Sequence, residues 1–194
     1  MGQRLVITVH AFDEDIAKIY YHWSAYTTSA IQEAKDIIDN VDWFNSTSKD
    51  ELILRITRQL EKCGDGVSIR DREAFKKKYP NETFNDDIDR NYGLIAITDD
   101  GMEELEYWAQ DDLTIDFDTE KVYNDVMFTY ESDEEFKQDR LDAGFEDDDI
   151  DVKNIKQLLF DPTEVYFFAL DSAIETLDGL QFCRHFGQIY ELII

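Results

Sequence analysis

The chain has few of the residues that mark secreted, zinc-binding or membrane proteins. It contains two cysteines and two prolines in 194 residues, and Cys63 and Cys183 form neither a CxxC pair nor a zinc-binding spacing. We therefore expect free thiols in a reducing compartment, with one distant disulfide as the alternative. Apolar runs fall short of the roughly 20 residues of a membrane span, and the N-terminus lacks the layout of a secretion signal. The sequence thus predicts a cytoplasmic protein with no membrane contact.

Basic residues are scarce as well. Lys and Arg number 19 against 45 Asp and Glu, which gives a formal net charge of −26. A surface of that charge repels phosphates, so direct binding of nucleic acid is not expected. The basic cluster at residues 70–78 is interleaved with Asp71 and Glu73, and this pattern indicates a solvated helix face. Its members are Arg70, Arg72, Lys76, Lys77 and Lys78.

Motifs of catalysis are also missing. The chain has no phosphate-binding glycine loop, no HExxH and no GxSxG. His22 and Ser24 would lie about 7 Å apart on one strand face, which is too far for a base to activate a nucleophile. His185 follows Cys183 closely, but no third residue is indicated to support a dyad. We expect a protein that is not an enzyme and that needs no cofactor.

Metal binding is the remaining chemical alternative, because carboxylates cluster. Asp147, Asp149 and Asp151 have the first spacings of a calcium loop, but the sixth position is Val152 and the twelfth is Leu158. A second cluster, Asp116, Asp118 and Glu120, falls on a predicted strand and turn and not in a loop that wraps an ion. We expect adventitious binding of divalent ions and no functional metal site.

Hydrophobic periodicity predicts one domain of the α+β class. Residues 4–11 and 16–24 alternate apolar and polar side chains, which indicates two strands joined by an acidic turn. Ser48 and Glu51 have the spacing of a capping box at the start of an amphipathic helix. Residues 112–118 alternate most regularly and predict a half-buried strand of an acidic hairpin. The other expected elements are helices over 27–41, 70–79, 134–141, 152–160 and 165–180, strands over 93–98, 122–131 and 188–194, and a short helix or strand over 102–110.

The predicted architecture is thus a single domain over 1–194, with a mostly antiparallel sheet and packed helices. Its charge is concentrated in one segment, because residues 85–151 hold 25 acidic and four basic side chains and so carry −21 of the net −26. Self-repulsion on that scale costs stability, which favours a functional reason for the acidity over simple solvation. Alternate carboxylates on a strand, such as Asp116 and Asp118, lie about 7 Å apart, which is comparable with the spacing of successive phosphates.

Several strings resemble a known group of proteins. Residues 1–5 (MGQRL), 20–27 (YYHWSAYT) and 92–98 (YGLIAIT), together with Gly101 and Met102, resemble small acidic proteins carried by bacteriophages and prophages of Gram-positive bacteria. Many accessory proteins of that kind oppose host defence, and the anti-CRISPR proteins among them include acidic mimics of DNA. The resemblance implies a binding inhibitor and carries over no catalytic residue.

We therefore expect an inhibitor that docks an acidic surface on a basic protein that handles nucleic acid, namely a Cas nuclease or effector complex. One alternative is a structural or regulatory phage protein that uses the aromatic hairpin residues Tyr20, Tyr21, Trp23 and Tyr26, with self-association into a homodimer. Another is an enzyme that acts on a nucleotide signal. The residues expected to bind the partner are Asp112, Asp116, Asp118, Glu120, Asp125, Glu134, Glu135, Asp147, Asp148 and Asp149.

Overall fold

A computed structural model describes residues 4–25, 27–41, 43, 45–63, 67–85, 93–124, 138, 141–142, 181–185 and 188–193. Its strands are β1 (Leu5–Ala11), β2 (Glu14–Tyr21), β3 (Ser68–Ile69), β4 (Leu94–Ala96), β5 (Asp111–Asp116), β6 (Lys121–Asn124), β7 (Gln181–His185) and β8 (Gln188–Ile193). Its helices are α1 (Thr27–Asn40), α2 (Lys49–Cys63), α3 (Arg72–Lys78) and α4 (Asp99–Trp108).

The described strands form one sheet in the order β3-β4-β2-β1-β5-β6-β8-β7. Four pairings are antiparallel, and three are parallel, namely β1 with β5, β3 with β4 and β6 with β8. The α+β class is therefore confirmed, and the sheet is mixed. The parallel pairings join segments that are distant in the chain, so local periodicity does not reveal them.

The β1–β2 hairpin forms where alternation predicted it, because each of its strands has one face that is strongly apolar. Leu5, Ile7 and Val9 are fully buried on one face, and Val6 is buried on the other. The turn is tighter than expected. Phe12 and Asp13 occupy it with φ of 59° and 62°, and β2 already begins at Glu14. Two positive φ values are typical of a two-residue hairpin turn that matches the twist of its strands.

Helices cover the sheet on two sides. Apolar residues of α1 and α2, such as Ile31, Leu52 and Ile56, pack in one cluster with Leu5 and Ile7 of β1. On the opposite face, Leu105 of α4 packs with Val6, Tyr20, Leu94 and Ala96 in a smaller cluster. Burial of each large apolar side chain contributes on the order of 2 kcal/mol. This packing fixes α4 over β1, β2 and β4, beside the outer face of β5.

The capping box of α2 is half formed. Ser48 Oγ accepts from Glu51 N at 3.3 Å, as the spacing predicted. The Glu51 carboxylate accepts instead from Thr47 N and Thr47 Oγ1, both at 2.9 Å. The Thr47 backbone N–H and the Arg55 guanidinium lower the pKa of Glu51 to about 2.

Other expectations are confirmed or fall outside the described residues. Residues 102–110, which fitted a helix or a strand, belong mostly to α4, and the basic residues Arg70, Arg72, Lys76, Lys77 and Lys78 are all exposed. The helix predicted over 134–141 is described only at residues 138 and 141, which are helical, and those over 152–160 and 165–180 lie outside the described residues. The side chains of Cys63 and Cys183 also lie outside what is described.

Candidate acidic binding surface

The outer face of β5 carries the carboxylates that alternation predicted. Leu113 and Ile115 are fully buried, whereas Asp112 is exposed and Asp116 is half-buried. The register with β1 places Asp112 beside Val6 and Asp116 beside His10. Because Val6 packs under α4, the carboxylates of β5 lie on the side of the sheet that carries this helix.

Helix α4 adds a second row of carboxylates. Asp99, Asp100, Glu103 and Glu106 are exposed, and Glu104 is half-buried. The helix is anchored by Leu105, which is fully buried, and by Thr98, whose side chain accepts from Gly101 N at 3.1 Å. We did not predict these five carboxylates as site residues. Residues 102–110 fitted a helix or a strand, Asp99 and Asp100 preceded that segment, and only a helix aligns all five. The signal was present in the spacing of Met102, Leu105 and Trp108.

Asp71 fixes the start of α4 from another part of the chain. Its Oδ2 accepts from Ile97 N at 2.8 Å and from Thr98 N at 3.0 Å. Two backbone donors that share a carboxylate are charge-assisted hydrogen bonds, which are stronger than neutral ones. The row of carboxylates on α4 is therefore held rigidly relative to β4.

Two cations form ion pairs with carboxylates of α4. Lys18 Nζ lies 2.5 Å from Glu106 Oε2, and Arg70 forms an ion pair with Glu104. Lys121 is the register partner of Asp116. A cleft of about 140 Å³ lies between the C-terminal end of α4 and the start of β5, so Glu106 and Asp112 line the same depression. Its lining is Val6, Thr8, Lys18, Glu106, Ala109, Gln110, Asp111 and Asp112.

Asp118 has a structural role. Its Oδ1 accepts from Phe12 N at 3.0 Å, and its Oδ2 accepts from Asp13 N at 2.9 Å. These amides belong to the two residues with positive φ, a conformation that carries a steric cost for residues other than glycine. Asp118 therefore stabilises the β1–β2 turn from just beyond the end of β5, the strand next to β1.

Asp116 has a similar role within its own turn. Its Oδ1 accepts from Asp118 N at 2.9 Å and from Thr119 N at 3.0 Å, and its Oδ2 accepts from Thr119 Oγ1 at 2.6 Å. We expected Asp116 and Asp118 to be contact residues. Both carboxylates accept hydrogen bonds at turns, which is a structural reason for aspartate at positions 116 and 118. The strand alternation could not reveal this reason. A role for them in binding a partner stays a prediction.

His10 lies among these carboxylates. Its Nδ1 is 2.8 Å from Asp15 Oδ1, and its Nε2 is 4.0 Å from Asp118 Oδ2. The hydrogen bond to Asp15, followed by the charges of Asp116, Asp15 and Asp118, raises the pKa of His10 against the opposing effect of burial. Sequence reasoning did not connect His10 with this cluster, because the two segments are about a hundred residues apart.

Of the remaining predicted site residues, only Glu120 is described. It is half-buried in the β5–β6 turn with φ of 56°, and its carbonyl oxygen accepts from Glu191 N at 3.0 Å. The predicted turn at residues 119–120 is thus confirmed. The others lie outside the described residues: Asp125, Glu134, Glu135, Asp147, Asp148 and Asp149.

The aromatic alternative loses part of its proposed surface. Tyr20 and Tyr21 are 3% and 2% exposed, so the prediction that they contact a partner is wrong. They are buried because both faces of β2 are covered, one by α4 and the other by the main core. Trp23 is 53% exposed, and Tyr26 lies outside the described residues.

His22 and Ser24 form hydrogen bonds with different residues and not with each other. His22 Nδ1 lies 3.1 Å from Tyr20 Oη, and Ser24 Oγ donates to Glu33 Oε1 at 3.0 Å.

No family model, no curated protein and no solved structure matches the chain. Among the helices in the described part of the chain, none is long and apolar enough to cross a membrane.

Proposed function

We propose that the protein is a non-catalytic inhibitor that binds a basic, nucleic-acid-handling host protein, namely a Cas nuclease or effector complex, through the acidic surface of α4 and β5. The observation that supports this proposal is the placement of both rows of carboxylates on one side of one sheet. The partner's channel would receive these carboxylates in place of phosphates. The resemblance to acidic phage and prophage proteins favours the same function.

The spacing of the carboxylates on α4 suits this role. Asp99, Glu103 and Glu106 are four and three residues apart, so they form a row on one helix face with neighbours about 5–6 Å apart. This interval is close to that of phosphates along a nucleic-acid strand. Lys and Arg side chains that neutralise phosphates in a channel could therefore contact successive carboxylates.

The row of carboxylates on α4 also lowers the stability of the helix, and a need for solubility does not explain why the charges are placed in a row. Like charges three or four residues apart destabilise an isolated helix by about 0.2–0.5 kcal/mol per pair. Asp99 and Asp100 are offset by the helix dipole, but Glu103 lies beyond the first turn. A row of negative charge does speed association with a basic partner, with a strong dependence on salt.

The test is competition for a Cas nuclease loaded with guide RNA. Fluorescence anisotropy would follow a labelled DNA target as the protein is added, at several salt concentrations and across a panel of effector types. We expect the protein to displace DNA from at least one effector. A triple variant, E103Q/E106Q/D112N, should weaken displacement at least tenfold and reduce its salt dependence, because three carboxylates of the surface are neutralised.

The matched control is D36N/D39N/D50N, which changes the net charge equally. Asp36 and Asp39 lie on α1 and Asp50 lies on α2, in the layer on the other side of the sheet. This variant should displace DNA within about twofold of the unmodified protein. Equal losses in both triple variants would show that net charge, and not the α4 and β5 surface, causes binding. Failure to displace DNA from any effector would refute the proposed partner.

A further inference from the structure

Three donor groups from two distant parts of the chain meet where the β1–β2 and β5–β6 turns approach each other. One ring nitrogen of His10 and one carboxylate oxygen each from Asp116 and Asp118 lie within 4.8 Å of one another. From the sequence, Asp116 and Asp118 were grouped with Glu120, all on one strand and turn. The structure supplies a histidine in place of that third carboxylate, which changes the chemistry of the cluster.

The imidazole of His10 has the arrangement that metal ligands need. Asp15 Oδ1 lies 2.8 Å from Nδ1 and fixes the orientation of the ring. In the neutral tautomer with the proton on Nδ1, Nε2 presents its lone pair on the side of Asp118, 4.0 Å away. Histidines that bind metals almost always have such a carboxylate or carbonyl partner on the other ring nitrogen.

The two carboxylates are held in place independently of any ion. Backbone amides of Phe12 and Asp13 hold Asp118, and backbone amides of Asp118 and Thr119 hold Asp116. An ionised carboxylate has about four lone-pair sites. Asp116 accepts three hydrogen bonds, two at Oδ1 and one from Thr119 Oγ1 at Oδ2, so its Oδ2 keeps one site for a cation. Each oxygen of Asp118 accepts one hydrogen bond and also keeps one site.

We propose that His10, Asp116 and Asp118 form a binding site for a borderline first-row divalent cation of the Zn²⁺ type, with Asp15 as the partner that orients His10. One imidazole nitrogen and two carboxylate oxygens suit Zn²⁺ and Co²⁺, whereas Ca²⁺ and Mg²⁺ prefer ligand sets of oxygen alone. A bound ion would link the β1–β2 hairpin to the β5–β6 hairpin. Lys121, the register partner of Asp116, is the nearby cation that would compete with it. The argument for this site does not rest on the proposed inhibitor function, although Asp116 lies on the same outer face of β5.

The test uses untagged, chelator-treated protein at a slightly alkaline pH of about 8, because metal binding to an imidazole nitrogen releases the proton that it would otherwise hold. Calorimetric titration with Zn²⁺ should show one ion per chain, bound at least tenfold more tightly than Ca²⁺ or Mg²⁺. Co²⁺ should give visible absorption bands of a nitrogen and oxygen site. The melting temperature should rise by a few degrees with saturating Zn²⁺, because the ion binds the folded state.

The variants separate this site from general attraction of cations. H10Q and D116N should each weaken Zn²⁺ binding at least tenfold, and D15N should weaken it by about 10–100-fold, as for other partners of metal-bound histidines. H22Q removes a histidine outside the cluster, and D36N/D39N removes two neighbouring carboxylates on α1. Both controls should bind Zn²⁺ within about twofold of the unmodified protein.

Several results would overturn the site. One is the absence of saturable Zn²⁺ binding, another is an affinity for Ca²⁺ or Mg²⁺ equal to that for Zn²⁺, and a third is full affinity of H10Q for Zn²⁺. Each would indicate only diffuse attraction of cations by an acidic surface. Circular dichroism must show that each variant is folded. If H10Q does not fold, the imidazole NMR signals of the unmodified protein decide the question. Zn²⁺ should then shift the His10 signals and leave those of His22 in place.

Discussion

Glu33 on α1 allows a prediction with a definite sign and magnitude. Burial raises its pKa from 4.5 to about 7, although the hydrogen bond from Ser24 Oγ lowers it. Asp36, three residues along the helix, adds a repulsive charge that raises it further. At neutral pH the folded protein therefore contains a carboxyl group that is poised between its neutral and ionised forms.

The sign follows from the protons bound by each state. Between about pH 4.5 and 7 the folded state keeps a proton on Glu33 that the unfolded state has released, so stability falls as the pH rises through this window. The loss is complete above the folded pKa. A shift of about 2.5 units corresponds to about 3 kcal/mol as an upper bound. Because the side chain is half-buried, we expect about 2 kcal/mol.

The substitution E33Q should remove this loss. A glutamine keeps the oxygen that accepts from Ser24 Oγ, and it stays neutral at every pH. Urea denaturation followed by circular dichroism should find E33Q more stable than the unmodified protein by about 2 kcal/mol at about pH 8 and by less than about 1 kcal/mol at about pH 5, where the loss has only begun. The control is E73Q, which removes one exposed charge from α3 and should change stability by less than about 0.5 kcal/mol at either pH.

Two results would refute this reasoning. If E33Q were no more stable than the unmodified protein at the higher pH, burial would not be penalising the charged form of Glu33. If E73Q gave the same gain as E33Q, relief of the overall negative charge would explain both variants.

Two further predictions concern carboxylates that hold backbone amides. D118A should lower the free energy of unfolding by about 2–3 kcal/mol, because Phe12 N and Asp13 N lose a charged acceptor. Adding D13G to the same chain should restore part of the loss, because glycine adopts a positive φ without steric cost. Urea denaturation of the single and double variants would show whether the two effects are coupled. G101A should cost at least about 2 kcal/mol, because an added methyl group would overlap the Asp71 carboxylate; thermal unfolding close to that of the unmodified protein would contradict this packing.

Local patterns in the sequence predicted the elements that are stabilised locally. The alternation of Leu5, Ile7 and Val9 predicted β1, because alternate residues of a strand lie on one face and this face is buried. The spacing of Ser48 and Glu51 predicted the start of α2, because a cap depends on neighbours in the chain. The exposure of the basic residues at 70–78 was predicted from the acidic residues that are interleaved with them in the chain.

What could not be predicted depends on contacts between distant segments. The parallel pairing of β1 with β5 places His10 beside Asp116, and no property of either strand alone indicates it. The carboxylates of Asp116 and Asp118 looked like surface charge, because their hydrogen bonds form only after two turns approach each other. The row on α4 was missed because the nine-residue segment 102–110 fitted two kinds of element.

The parallel neighbour of β1 has a consequence for synthesis on the ribosome. Leu5 pairs with Asp111, so β1 cannot pair with β5 until about a hundred further residues have been translated. At about 5–20 residues per second, one edge of the β1–β2 hairpin stays unpaired for about 5–20 s. An open hydrophobic edge is a template for pairing with other nascent chains. The yield of native protein should therefore depend on how well chaperones shield the first hairpin until β5 emerges.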